Sequence, residues 1–119
     1  MKLAQAALLS LALGSGTALA ADCTAPEPPE LPDGATSNME QMLAGQKAVK
    51  AYQALNMDYM KCLEPALAAA EAELEGGAEG AAEKYKQIEE AYNAAVSAEE
   101  AVAGQFNTEI REYKAANPS

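Results

Sequence analysis

Apolar side chains recur every three or four positions along two stretches of this chain, and a glycine-rich break separates them. On a wheel at ~100° per residue, the first stretch gives a stripe of Met42, Val49, Tyr52, Asn56, Tyr59, Leu63, Leu67, Ala70 and Leu74. The second gives Ala81, Tyr85, Ile88, Tyr92, Ala95, Glu99, Val102, Phe106, Ile110 and Tyr113. All five tyrosines fall on these stripes. The period predicts two amphipathic helices, helix one over 36–75 and helix two over 81–116.

Local signals bound them. Thr36, Ser37 and Asn38 can each cap a helix, and Glu40 stands three residues after Ser37, as in a capping box. Gly45 is a lone interior glycine, and Pro65 should bend helix one by withholding a donor from the carbonyl of Lys61. The run Gly76-Gly77-Ala78-Glu79-Gly80 is the one clear breaker, and Asn117-Pro118 stops helix two.

Folding back at 76–80 sets the two stripes against each other. Both helices rise ~1.5 Å per residue, so Ala70 meets Tyr85, Leu63 meets Tyr92, Val49 meets Phe106 and Met42 meets Tyr113. Large residues mostly meet apolar ones. An all-α, coiled-coil-like antiparallel two-helix hairpin is the predicted fold. Each stripe carries one polar residue near its centre, Asn56 and Glu99, equally far from the glycine turn. A buried contact between them would fix the register, since a slip leaves a polar group unpaired at ~1–3 kcal/mol. A carboxylate held there for proton transfer would need a second acid or base, and none is evident.

Ahead of helix one, residues 21–35 form a proline-rich arm with four prolines between Cys23 and Ala35, expected as extended polyproline II. Ala44, Ala48, Ala51, Leu55 and Cys62 share a flank of helix one, and small residues in line leave a shallow groove. The arm from Cys23 to Thr36 spans ~40 Å as polyproline II, and Thr36 to Cys62 spans ~39 Å of helix. The arm can therefore run back along that groove and be pinned by a Cys23–Cys62 disulfide. Closing a loop of about 40 residues stabilises by ~4 kcal/mol in the chain-entropy model.

The compartment follows from residues 1–20. Lys2, an apolar run from Leu3 to Leu13, and Ala18-Leu19-Ala20 have the order of a secretory signal peptide cut after Ala20. The run is too short to span a bilayer. A periplasmic protein is expected, with an extracellular one as the alternative. The two cysteines, both beyond the cut, suit an oxidising compartment.

Charge and chemistry narrow the function classes. Eighteen acids against eight bases give a formal charge of -10, which cleavage of Lys2 would take to -11. Such a surface repels phosphate backbones and anionic headgroups, so no nucleic acid is expected, and no later segment is apolar and long enough for a membrane span in the mature chain. Histidine is absent, removing the commonest general base and metal ligand. No nucleophile elbow or phosphate loop occurs. Neither a catalytic site nor a cofactor is expected. The methionine pairs, Met39 with Met42 and Met57 with Met60, are spaced for soft Cu(I). They lack an evident third ligand, and core packing explains them as well, so no metal site is assigned.

Export, two long helices and an acidic surface resemble the small periplasmic chaperones of the Spy and CpxP type. The LTxxQ motif of that group is absent here, and its cradle has more helices. The expected function is a non-enzymatic binding or structural module, acting on a protein partner or on itself through a helical surface. The alternatives are a holdase-type chaperone and a Cu(I)-binding protein.

Overall fold

Two helices and an extended arm make up the computed structural model, which describes residues 23–118. The expected signal peptide and its cleavage site lie outside the described residues. Helix α1 spans Met39–Glu75 and α2 spans Ala81–Ala116. At ~1.5 Å per residue each is about 55 Å long. They pack as an antiparallel hairpin, and no strand occurs among the described residues.

Helix α1 begins at Met39 rather than at residue 36, and its cap is Asn38 rather than Ser37. The cause is the turn before it. The amides of Thr36 and Ser37 already donate to the Asp33 carbonyl, at 3.2 and 2.9 Å. Asn38 is the first residue left free, and it forms a reciprocal box with Gln41, both bonds at 2.8 Å. At the other end α1 runs unbroken through Pro65 to Glu75. Gly77 and Gly80 then take φ of +77° and +80°, which side-chain-bearing residues rarely adopt. Lys84 reaches back across the turn to Glu73 at 3.3 Å. Both are about half exposed, so the pair contributes little, ~0–1 kcal/mol.

The buried residues of both helices are those of the two stripes, with Gly45 added. They separate into two apolar clusters. Towards the turn, Leu63, Ala70, Ile88 and Cys23 pack with Tyr59, Leu67, Tyr85 and Tyr92 at their margin. Towards the open end, Met42, Val49, Tyr52, Val102 and Phe106 pack with Leu31, Ile110 and Tyr113. Leu74, expected on the α1 stripe, is 41% exposed, because only the glycine turn and the first residues of α2 lie beyond it.

The arm is joined to α1 by the Cys23–Cys62 disulfide, with Cα atoms 5.7 Å apart. The arm borders the expected flank of α1 at Ala44 and Ala48 and again at Leu55 and Cys62, but it is not confined to α1. Ala25, Pro26 and Pro28 border a space floored by Tyr52, Asn56 and Tyr59 from α1 and by Ala91, Ala94, Ala95 and Ala98 from α2. The arm thus lies over the junction of the two helices. Ala44, Ala51 and Leu55 stay exposed. A valley between two helices offers two walls of small residues where one helix face offers one, so it buries more of the arm.

Candidate functional site

Three places combine polar chemistry with a defined geometry. The first is the waist between the apolar clusters. Asn56 is buried, and its Nδ2 donates to the Ala95 carbonyl at 3.0 Å and to Glu99 Oε1 at 3.1 Å. Both partners are acceptors, so the amide must present its nitrogen to them. Glu99 is half-buried beside this contact. Tyr52, one helical turn before Asn56, has its phenol pKa raised, first by burial and then by the negative charge of Glu99. The stripe pattern singled out Asn56 and Glu99 but not Tyr52, whose aromatic ring reads simply as core. Asn56 thus ties Glu99 to the α2 backbone, and the charge of Glu99 is felt at Tyr52.

The second place is where the arm meets the open end of α2. The Gly34 amide donates to Glu109 Oε1 at 2.8 Å. Gln105 donates to the other carboxylate oxygen. A Cβ on Gly34 would overlap the backbone carbonyl of Glu109, so only glycine allows the approach. Carboxylate oxygens of Asp33, Glu109 and Glu112 lie within 4.8 Å of one another. The bond from Gly34 holds the Glu109 carboxyl below the usual glutamate value, opposed by partial loss of solvent and assisted by Gln105 and Glu112. Glu112 is pushed the other way, chiefly by the charge of Glu109 and then by the hydrogen bond between them. This cluster latches the arm. Nothing in the pattern of stripes pointed to it, since Glu109 and Glu112 lie off the α2 stripe and only the tertiary fold brings Gly34 of the arm to them.

The third is the face opposite the arm. At ~100° per residue, Met39, Gln46, Met57 and Met60 of α1 lie on that side of the seam, as do Val96, Ala103 and Lys114 of α2. Met39, Leu43, Met57 and Val96 are 56, 54, 52 and 37% exposed. Near the open end, a hollow of about 300 Å³ is lined by Met39, Met42, Leu43, Phe106, Ile110 and Tyr113, with Gln46 and Lys114 as its polar residues. No arm residue covers it. Among the described residues, four of the six exposed large apolar side chains gather on this face, while Leu55 stands on the arm-side flank and Leu74 beside the turn.

The methionine pairs fall on this face but are split by burial. Met42 is in the core and Met39 is exposed; Met57 is exposed and Met60 half-buried. Both cysteines are in the disulfide, so no thiolate stands ready to join a pair of thioethers. Among the described residues no helix is long and apolar enough to cross a membrane.

No family model matches the chain, and neither a curated protein nor a solved structure matches it.

Proposed function

We propose that this chain is an exported, non-enzymatic interaction module, working in the periplasm and binding a protein through the face of the hairpin opposite the arm. The observation that carries the reading is the asymmetry of the two sides. One side of the helix junction is covered by the arm, fixed by a disulfide at one end and by the Gly34–Glu109 latch at the other. The opposite side keeps Met39, Leu43, Met57 and Val96 in solvent, against Leu55 alone among the large apolar residues of the arm-side flank. Methionine and branched aliphatic side chains on an exposed helical face suit packing against another helix. The disulfide and the lack of a spanning helix among the described residues agree with an exported protein. A holdase has less support, because the seam between the helices is filled and does not open as an apolar cradle.

The test is site-specific photocrosslinking in cells that export the protein. A photoreactive residue at Met57 or Val96 should capture protein adducts, while the same residue at Ala51 or Ala101, on outward positions, should not. Equal labelling from all four positions, or from none, would end this reading.

A further inference from the structure

The geometry points to a second copy of this chain as the partner of the open face, laid head to tail so that each turn end covers the other's open end; this rests on the function proposed above. The apolar residues alone do not choose a partner. The charges around them do. On the open-face side, within about 120° of the seam centre at ~100° per residue, the open half of the hairpin carries Lys50, Arg111 and Lys114. The turn half carries Glu64, Glu71, Glu75 and Glu89. Lys61 and Lys86 point farther round, at about 140° on the same scale. The single acid near the middle is Glu100. In a chain with more than twice as many acids as bases, a cationic open half is unexpected, and it matches the turn half of another copy.

The spacing agrees with this arrangement. A two-fold axis passing at the level of Met57 sets α1 against α1 and α2 against α2, each antiparallel. Met57 then meets its own copy at the axis. Lys50 and Glu64 lie the same distance on either side of it, about 11 Å at ~1.5 Å per residue. Lys114 of α2 stands about 24 Å out on one side and Glu71 of α1 about 21 Å out on the other; both lie about 60° from the seam centre, so they approach diagonally across the four-helix interface and not from facing helices. The charged pairs therefore come level at the same time as the methionines. Parallel pairing would instead stack lysine on lysine and glutamate on glutamate. The apolar hollow at the open end then lies opposite the partner's turn half.

Sedimentation equilibrium on the disulfide-intact exported protein tests the proposal. The expected result is a dimer across a range reaching about 300 μM. Met57→Glu should abolish it by placing two like charges at the axis. Lys114→Glu and Glu71→Lys should each weaken dimerisation about tenfold or more, and the double swap should return it to within about threefold of the parent. Within one chain those two residues are about 45 Å apart, so rescue can only act between copies; circular dichroism checks that each variant is folded. A monomer at every concentration, or a dimer indifferent to Met57→Glu, overturns the proposal. A double swap no better than the singles overturns the head-to-tail arrangement. If the protein is monomeric while Met57 still captures a different protein in cells, self-pairing fails and the interaction function stands.

Discussion

At residue 45 a methyl group would sit 2.6 Å from Cδ of Pro32 and 3.1 Å from the ring of Phe106. Alanine there gains ~1 kcal/mol of helix propensity but overpacks the arm at a cost of ~1–3 kcal/mol. The second effect is the larger, so Gly45→Ala should lower the thermal midpoint slightly. Gly34→Ala should do more, because its obstacle is the α2 backbone and not a ring that can tilt; limited proteolysis should show the arm loosened. The waist makes an asymmetric prediction. Glu99→Leu leaves buried Asn56 with the Ala95 carbonyl and one unpaired N–H, a cost of ~1–3 kcal/mol. Asn56→Leu leaves Glu99, which is half-buried and can turn to water, so it should be nearly neutral, as should the double leucine variant. Glu99→Leu should also lower the Tyr52 phenol pKa in a spectroscopic titration while leaving it above the ordinary value, since burial is the larger cause of its rise. Denaturant melts that rank the two single leucine variants the other way round would refute this account of the waist. The latch titrates in two opposed steps. Glu109 has a lowered folded pKa, so its contribution is present above the unfolded value and lost as pH falls through the folded one. Glu112 has a raised folded pKa, so its contribution is present below the unfolded value and lost as pH rises through the folded one. Arm docking should therefore be tightest between the two folded pKa values, in mildly acid solution. The difference in thermal midpoint between the parent and Glu112→Gln should change through the Glu112 titration, and a pH-independent difference would contradict the latch.

At the scale of elements, the arm is the part whose place depends on a covalent bond. Cys62→Ser opens a loop of about 40 residues, and the loss should approach ~4 kcal/mol in the chain-entropy model. It should also make the peptide bonds between Thr24 and Glu30 the first to be cut by protease, with the helices still intact by circular dichroism. Cleavage starting in the 76–80 turn instead would show that the arm stays docked without its disulfide. The hairpin was legible in the sequence because a helix stripe is a local property, and Leu63, Ile88, Val102 and Phe106 lie on theirs whatever the rest of the chain does. The disulfide was legible from the count of cysteines and the matched lengths of arm and helix. The groove was legible only in part. Reading α1 alone singles out Ala44, Ala48 and Ala51, but a valley between two cylinders belongs to neither, and Ala91, Ala94 and Ala98 of α2 form its other wall. The helix cap was misplaced for a similar reason. Three adjacent residues could serve, and the choice fell to Asn38 once the turn at Asp33 had engaged the amides of Thr36 and Ser37. The latch and the uneven exposure of the two faces depend on where the arm lies, so they were hidden with it.

Taken whole, the molecule has two apolar clusters joined across a polar waist, and the arm spans both. It contributes Cys23 to the cluster near the turn and Leu31 to the margin of the one near the open end. The two clusters are not equally secure. Near the turn the helices are joined by a short loop, so bringing them together costs little chain entropy. At the open end the only connection through the chain is the full length of both helices, and the arm is the one further element that holds them. Its latch joins the start of α1 to α2 through Gly34 and Glu109, and Pro32 packs beside Gly45 and Phe106. Intact protein should therefore exchange amide hydrogens in the two halves with similar protection, as one cooperative unit. Reduction of the disulfide frees the arm at Cys23 and removes the constraint on its length, so the bonds at Pro32 and Gly34 must hold without support. Protection should then fall most over 42–52 and 102–113, and least over 63–70 and 85–92, although the broken bond lies nearer the latter. An exchange profile that weakens around Cys62 and spares the open end would mean that the clusters are independent and that the arm does not couple them. The predicted order is the opposite because the turn already secures one half, while the arm alone closes the other.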